Sequence, residues 1–459
     1  MNTRVIEDLR TGLRGALLQP EDGGYDAARR VWNGSIDRKP ALIARCTGAA
    51  DVIHAVNFAR ANDLLVSVRG GGHNVTGNAV CDGGLMIDLS PMKGIHVDPA
   101  RRTVRAQGGV TWGELDHETQ AFGLATTGGQ ISTTGIAGLT LGGGLGWLMR
   151  KCGLAVDNLL SADVVTADGR FLTCSAVDNA DLFWGLRGGG GNLGLVTSFE
   201  YRLHPIGPLV TGGVALYPAA RAPDALAFYR DYMATASEDE MVAFAFQSAP
   251  PAPFVPAALH GTPVVGFALC HVGPLAEGQR AVQRLRAFGP PVADVLGPMP
   301  YTAVQQMMDE AMPFGRHVYL RSDHLTGLGD DVIETCVQNT AAMTSPLSVA
   351  VIIPLGGAVS RVGEHDTAFS HRQTPFDIDI FAIWTDPRES DRHLQWGRGF
   401  GAALQPFSRG VYVNEMGSEG EERIRAAYHP ANYARLVTLK NTYDPANFWR
   451  LNQNIKPTG

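Results

Sequence analysis

Three consecutive glycines run directly into a histidine in the segment SVRGGGHNVTGN, residues 67–78. Because Gly70, Gly71 and Gly72 carry no Cβ atom, backbone N–H groups of this loop can close on a phosphate. His73 then places an imidazole nucleophile beside whatever that phosphate belongs to. The segment therefore predicts a binding loop for a large phosphorylated cofactor, with a nucleophile built into it.

A second glycine cluster supports this interpretation. One glycine pattern is weak evidence in a chain with 55 glycines, because chance matches arise. Residues 126–169, however, again place glycines, serines and threonines before an extended run. Two separated loops suit the length of a dinucleotide.

Two carboxylates lie on an otherwise apolar strand in HRQTPFDIDIFAIW, residues 371–384. With the period of two of a strand, Asp377, Asp379, Phe381 and Ile383 share one face. Such a pair could act as a general base in a pocket. The alternative is a solvated sheet face, the usual place for acidic residues in strands.

Length and charge favour a small-molecule substrate. At 459 residues the chain is expected to form two domains, and its net charge of −7 includes no basic stripe. We therefore expect no nucleic-acid partner and no membrane partner. The N-terminal segment does not resemble a secretory signal and no segment reaches transmembrane length, so a cytoplasmic location is expected, as a monomer or homodimer.

The cysteines are spread thinly and lack the spacing of metal ligands, which predicts reduced thiols and no bound metal. They are Cys46, Cys81, Cys152, Cys174, Cys270 and Cys336.

The pattern along the chain predicts an α+β protein. A helix over residues 49–61 leads into a short strand and the first glycine loop, which indicates an α/β unit. We expect a first domain over 1–210 that contains both glycine loops, a second α+β domain over 211–404, and a C-terminal segment, 405–459, that returns to the first domain.

Four motifs occur in a fixed order: RGGGHN, GLTLGGGLGWLMRKCGLAVDNLLSADVVTADGR, DLFWGLRGGGGNLGLVTSFEY and YDPANFWRLNQNI. With them the chain resembles the berberine bridge enzyme-like family of flavoprotein oxidases, most strongly over 37–207 and 428–455. The resemblance implies a PCMH-type FAD-binding domain in two subdomains, as in vanillyl-alcohol oxidase. It also implies a substrate domain whose antiparallel sheet covers the flavin.

The same resemblance implies which residues bind FAD. It implies a covalent bond from His73 to the flavin 8α-methyl carbon, whereas outside this set of motifs a loop histidine more often hydrogen-bonds backbone. The other expected cofactor-binding residues are Arg69, Gly70, Gly71, Gly72, Asn74, Gly77, Gly128, Thr133, Thr134, Gly135, Gly138, Leu139, Gly142, Gly143, Gly144, Gly146, Asn158, Val196 and Asn452.

A second covalent link is not expected. Many relatives carry a tethering cysteine four residues before a glycine, and here Ile131 stands four residues before Gly135. Cys152 lies further on, where a bond would need a different approach to the ring. Single attachment is therefore predicted, as in the nicotine-oxidising members that this chain resembles in layout.

Thr134 matches the family position that is thought to control oxygen access. Threonine has nearly the shape of valine, the residue associated with oxidases, so this position favours an oxidase over a dehydrogenase. The simpler alternative is a β-branched residue before a glycine turn.

The resemblance also suggests catalytic residues. Relatives place a catalytic or substrate-contacting Glu or Gln near the position of Asp379, so Asp379 is expected to line the pocket. Burial there would raise the pKa of Asp379. The family pattern Y-x-N-Y matches Tyr412 and Asn414, with Glu415 replacing the last tyrosine. Without that pattern, Tyr412 would be read as a packing residue.

Two further expectations concern the substrate. Ala350, Ile352 and Pro354 replace charged groups of the nicotine-oxidising relatives, so an apolar pocket wall and a hydrophobic or aromatic substrate are predicted. His371 and Arg372 could bind an anion or cap the sheet edge, and the cap is the favoured interpretation.

The leading hypothesis is an FAD-dependent oxidase that removes a hydride from a C–H beside O or N and passes the electrons to O₂, giving H₂O₂. A dehydrogenase or ring-forming desaturase on the same scaffold is the alternative within the family. A flavin-containing metabolite-binding protein without turnover is the alternative from another class.

Overall fold

The computed structural model describes residues 3–458, and its first sheet carries the first glycine loop. The strand order is β1-β2-β4-β3, with β2, β4 and β3 parallel. The strands are β1 Ala16–Leu18, β2 Leu42–Arg45, β3 Val66–Arg69 and β4 Leu85–Asp88. The helices of this part are α1 Thr3–Gly12, α2 Tyr25–Arg29 and α3 Ala49–Ala61. The predicted helix over 49–61 is thus present, and it buries Val52 and Val56 against this sheet.

An antiparallel second sheet, ordered β5-β6-β10-β8-β9, completes the N-terminal half. Its strands are β5 Ile95–Asp98, β6 Thr103–Gln107, β8 Leu159–Val165, β9 Phe171–Ser175 and β10 Leu195–Arg202, while β7 Leu124–Ala125 pairs with β11 His204–Pro205. The helices are α4 Trp112–Gln120, α5 Ile136–Leu141, α6 Met149–Cys152 and α7 Ala180–Leu186. The Thr111–Glu114 capping box fixes the start of α4.

The third sheet spans the middle of the chain in the order β15-β12-β14-β13-β18-β19-β17, with β16 paired to β12. Its strands are β12 Leu209–Pro218, β13 Glu240–Ser248, β14 Pro263–His271, β15 Ala293–Asp294, β16 Gly297–Pro300, β17 His317–Leu325, β18 Val349–Pro354 and β19 Phe376–Trp384. Their mutual pairings are antiparallel. The predicted α+β class and antiparallel sheet are confirmed.

Helices cover one face of this third sheet. They are α8 Ala222–Met233, α9 Leu275–Arg286, α11 Asp330–Ala341 and α13 Ser390–Leu404, with α10 Tyr301–Gln305 and α12 Ala358–Arg361 in the connections. On β19, Ile378 and Ile380 pack into that helical core, whereas Asp379 and Phe381 face the other way. The period of two therefore sends the acidic face toward the N-terminal half.

The C-terminal segment packs on the N-terminal half. Helix α14 is Glu421–Ala426 and helix α15 is Pro430–Tyr443. Leu436 and Leu439 of α15 join the core of the second sheet. The fully buried Lys440 ammonium donates to the Asn192 carbonyl at 3.0 Å and to Asp444 Oδ2 at 2.6 Å, so buried charge also ties the segment down.

No helix within residues 3–458 is both long enough and apolar enough to cross a membrane.

The prediction that Arg372 caps the sheet edge was wrong. Arg372 is fully buried and its guanidinium donates to both carboxylate oxygens of Asp157, at 3.0 and 2.7 Å. Asp157 ends a 3₁₀ turn in the N-terminal half. The pair therefore joins two distant parts of the chain.

We expect Arg372→Ala to lower the free energy of unfolding by about 3–5 kcal/mol, because Asp157 would keep a buried charge without its partner. Urea denaturation followed by tryptophan fluorescence measures this change. As a control, Arg388→Ala removes an arginine whose side chain is 88% exposed, and it should cost less than about 1 kcal/mol. Equal effects of the two substitutions would contradict the assignment.

Candidate active site

A continuous cavity, here called the central cavity, joins both glycine loops to the third sheet. Asp379, Tyr412 and Asn414, the predicted catalytic residues, line it. The predicted cofactor-binding residues that also line it are Gly70, Gly71, Gly72, His73, Asn74, Thr134, Gly135, Gly138, Leu139, Val196 and Asn452. The structure thus brings the two predicted sites into one space.

The first glycine loop packs backbone to backbone against the start of α5. A Cβ atom on Gly71 would lie 2.3 Å from the Gly135 nitrogen, and one on Gly135 would lie 2.3 Å from the Gly71 nitrogen. Neither position has room for a larger residue. Gly72 adds a positive φ of 73°, a conformation that side chains disfavour. The loop is therefore fixed in a shape that exposes backbone to the cavity.

Two buried polar side chains at the C-terminal rim of the cavity could contact a ligand. Asn452 Oδ1 and Trp449 Nε1 are buried and have no hydrogen-bond partner within residues 3–458, and both residues line the cavity. Buried polar atoms are normally paired. A dinucleotide with a flavin ring offers donors, acceptors and apolar surface together, so the residues present fit FAD.

Several predicted cofactor residues lie outside the cavity wall: Arg69, Gly77, Gly128, Thr133, Gly142, Gly143, Gly144, Gly146 and Asn158. Some of these positions also serve the packing of the protein itself. Asn158 donates to the Cys152 and Leu154 carbonyls, and a Cβ on Gly146 would lie 1.7 Å from the Gly128 oxygen. The nine residues stay predicted cofactor contacts, and close packing is a second reason for glycine at a position such as Gly146.

Cys152 likewise does not line the cavity, and burial raises the pKa of its thiol to about 12. A buried protonated thiol is a poor nucleophile. The single tether stays a prediction.

Other wall residues were missed by the sequence analysis. The cavity is also lined by Trp32, Gln247, Met308, Met312 and Trp449, which lie outside the glycine motifs and the acidic strand. Only Trp449 carried a signal, because it belongs to the C-terminal motif.

The His73 imidazole lies between Trp32, stacked at 5.3 Å, and Phe314, edge-on at 5.2 Å. Its Nε2 lies 2.9 Å from Thr133 Oγ1, and its Nδ1 lies 3.4 Å from Thr134 Oγ1. Burial lowers the pKa of His73 to about 3, so the ring is neutral at physiological pH. A neutral imidazole keeps a lone pair available for bonding.

A cluster of carboxyl groups occupies the other end of the cavity. Oxygens of Asp377, Asp379 and Glu415 lie within 4.8 Å of one another. Asp379 is only 2% exposed, so the solvated-face alternative does not hold. Burial, with Glu415 and Asp377 nearby, holds the pKa of Asp379 well above its usual range. Asp377 in turn contacts His324, with 2.7 Å between Oδ1 and Nδ1.

Glu415 was noted in the sequence only as a replacement of the family tyrosine. Burial raises its pKa to about 7, and hydrogen bonding to Asp379 opposes that rise. Asp379 Oδ1 and Glu415 Oε2 have no hydrogen-bond partner in the part of the chain that is described. Asp379 and Glu415 thus form a carboxyl pair that can hold one proton near neutral pH.

Tyr412 fixes the segment that carries Glu415. Its hydroxyl oxygen accepts hydrogen bonds from the Gly144 and Leu145 amides, at 2.9 and 3.3 Å, and from Asn414 Nδ2 at 2.7 Å. Burial raises the pKa of Tyr412 above its usual value, so the phenol stays protonated. Asn414 Nδ2 also donates to the Leu139 carbonyl oxygen at 2.9 Å.

The predicted pocket face of β18 was wrong. Ala350 and Ile352 pack into the helical core, whereas Val351 and Ile353 line the cavity, and Pro354 is absent from its wall. The strand period predicts the two faces of β18 but not which of them points into the cavity. The wall contributed by β18 is nevertheless apolar, as expected.

The central cavity brings together the first glycine loop, the His73 imidazole and the Asp379–Glu415 pair. This arrangement fits a flavin-dependent oxidoreductase, and comparison with known proteins agrees. The FAD binding domain family matches residues 40–175, and the family described as berberine and berberine like matches residues 411–456. The chain belongs to the berberine bridge enzyme-like family of FAD-linked oxidoreductases.

Its relatives include a protein named as an oxidase. (R)-6-hydroxynicotine oxidase of Paenarthrobacter nicotinovorans is 33% identical, over 97% of this chain and 98% of that protein. An FAD-linked oxidoreductase of Dictyostelium discoideum is 30% identical, over 99% and 97%. The crystal structure of 6-hydroxy-D-nicotine oxidase from Arthrobacter nicotinovorans superposes with a TM-score of 0.88 at 30% identity, covering 97% of this chain and 98% of that one. The resemblance and layout inferred from the motifs are confirmed.

The acid pair predicts a pH-dependent stability. Because the pKa of Glu415 rises from 4.5 to about 7 on folding, the folded state holds this proton more tightly. The contribution to stability is therefore full below pH 4.5 and is lost as the pH rises toward 7. Glu415→Gln should flatten the fall in unfolding free energy across this window, measured by urea denaturation at several pH values.

The exposed glutamate Glu118 provides the control, since Glu118→Gln should leave the pH dependence as in the wild type. An unchanged slope in Glu415→Gln would show that Glu415 does not hold a proton in the folded state at neutral pH.

Proposed function

We propose that this protein is an FAD-dependent oxidase that acts on a C–H next to O or N of a small hydrophobic or aromatic metabolite, with O₂ as acceptor and H₂O₂ as product. The observation that carries the proposal is the Asp379–Glu415 pair in the cavity that also contains the glycine loop and His73. The hydroxynicotine oxidase relative supports it by its name and its coverage. We further propose that FAD is tethered through His73 alone.

Bound FAD supplies the hydride acceptor in such a reaction. The part left to the protein is removal of a proton from the substrate O–H or N–H. The carboxyl pair suits that part, because the pKa of Glu415, about 7, matches a base that works near neutral pH. The unpartnered oxygens of Asp379 and Glu415 are the proposed acceptors.

The rest of the wall supports an apolar substrate. Val351, Ile353, Phe381 and Leu320 surround the pair and offer no charge to a ligand. Burying apolar substrate surface there contributes binding energy and excludes water from the acid pair. We therefore assign the metabolite class as hydrophobic or aromatic.

Asp379→Asn should slow anaerobic flavin reduction by about 100-fold, because positioned acid–base groups contribute at least that much. Stopped-flow absorbance measures the rate with a substrate found by screening aromatic and aliphatic alcohols and amines. Asp391→Asn, an exposed position on α13, is the control and should leave the rate unchanged. A wild-type rate in Asp379→Asn would remove the pair from the mechanism.

Oxidase activity predicts rapid reoxidation. Photoreduced holoenzyme mixed with aerated buffer should regain its oxidised spectrum within seconds and release one H₂O₂ per flavin. Thr134→Leu should slow this step severalfold, because the larger side chain would stand beside His73, which Thr134 contacts at 3.4 Å. A flavin that stays reduced for minutes in wild-type protein would favour the dehydrogenase alternative.

A further inference from the structure

The His73 ring is held from three directions. Trp32 stacks on it with the ring planes 15° apart, Phe314 meets it edge-on at 90°, and the Thr133 hydroxyl lies 2.9 Å from Nε2. The stacked ring constrains the tilt of the imidazole plane, the edge contact adds a second ring neighbour, and the hydrogen bond restricts rotation within the plane. Together the three contacts restrict the orientation of the imidazole.

Trp32 is held in place by hydrogen bonds of its backbone and of its indole ring. Its backbone N–H donates to the Gly72 carbonyl at 2.9 Å, directly before His73. Its indole Nε1 donates to the Met312 carbonyl at 2.9 Å, and its own carbonyl accepts from the Gly315 N–H at 3.0 Å. Trp32 is 3% exposed. It therefore links the histidine loop to the segment that carries Phe314.

The segment that carries Phe314 also contacts Ser132, the residue before Thr133. Asp309 Oδ1 accepts from the Ser132 N–H at 2.8 Å, and Asp309 Oδ2 accepts from the Ser132 hydroxyl at 2.5 Å. We call residues 309–315 the clasp. The clasp lies between β16 and β17 of the third sheet. It hydrogen-bonds to Trp32 and to Ser132, the residue before Thr133, in the N-terminal half.

We propose that Trp32, Phe314 and Thr133 are positioning residues for covalent attachment of FAD to His73, and that the clasp holds Trp32 and the segment of Thr133 in place for it. This inference rests on the proposed His73 tether. Bond formation requires a ring nitrogen held in line with the 8α carbon, and small misplacements slow such reactions strongly. The three contacts supply that alignment.

The attachment step balances with O₂ as oxidant. One C–H bond of the 8α methyl group and the N–H bond of the neutral imidazole are lost, and one C–N bond forms. The two electrons and two protons released pass to O₂, which leaves as H₂O₂.

The test follows attachment directly instead of turnover. Apo-protein from riboflavin-limited cells is incubated with FAD in air, and flavin that survives acid precipitation is measured over time. Trp32→Leu, Phe314→Leu and Thr133→Val should each slow attachment by about tenfold or more, while total bound flavin stays near one per chain. Phe122→Leu, at an aromatic residue that is 52% exposed, is the control and should attach at the wild-type rate.

Thr133 offers the sharpest comparison, because Thr133→Ser keeps the hydroxyl and Thr133→Val keeps the shape. Recovery of the wild-type rate in Thr133→Ser, against a slow Thr133→Val, supports positioning over a merely structural role. Attachment at the wild-type rate in Thr133→Val would overturn the inference, even if Trp32→Leu fails to fold.

His73→Ala separates this inference from the proposed function. Loss of all acid-stable flavin in His73→Ala supports the tether, and retention would overturn the tether itself. If His73→Ala loses it while the Trp32, Phe314 and Thr133 variants attach at the wild-type rate, the tether stands and the positioning inference falls.

Discussion

The backbone contact between Gly71 and Gly135 is the constraint on which the site depends. The two residues approach so closely that a Cβ atom on either would lie 2.3 Å from the other's nitrogen. This contact locks the loop after β3 to the start of α5, and it thereby brings Thr133 and Thr134 to the two nitrogens of His73. Any side chain at either glycine would separate the imidazole from both hydroxyls.

The Asp379–Glu415 pair destabilises the fold, because two carboxyl groups are buried at an apolar wall. Desolvating a carboxylate is unfavourable, and a proton shared by the pair reduces that unfavourable free energy. Asp379 lies on β19, between β17 and β18, and is buried, so water does not solvate its carboxyl group. Next to it, Asp377 gains the Ser322 hydroxyl at 3.0 Å and the His324 contact. A cluster this costly is expected where chemistry needs it.

Local patterns predicted the parts of the site that depend on local rules. Helical spacing predicted α3, and the strand period predicted the shared face of Asp377 and Asp379. Trp32 was not predictable, because its contacts with His73 and Met312 arise only when segments far apart in sequence pack together. Glycines such as Gly146 stay predicted cofactor contacts, because sequence does not separate ligand contact from tight packing.

The placement of Glu415 explains why the C-terminal segment belongs to the active site. Glu415 lies in a 3₁₀ turn, and the Tyr412 hydroxyl fastens that turn to the Gly144 and Leu145 amides of the N-terminal half. Asn414 adds its bond to the Leu139 carbonyl. Asp379 comes from the third sheet, so the carboxyl pair exists only after sheet, glycine loop and C-terminal segment have come together. The chain thus assembles its proposed base at the same junction that encloses the proposed cofactor site.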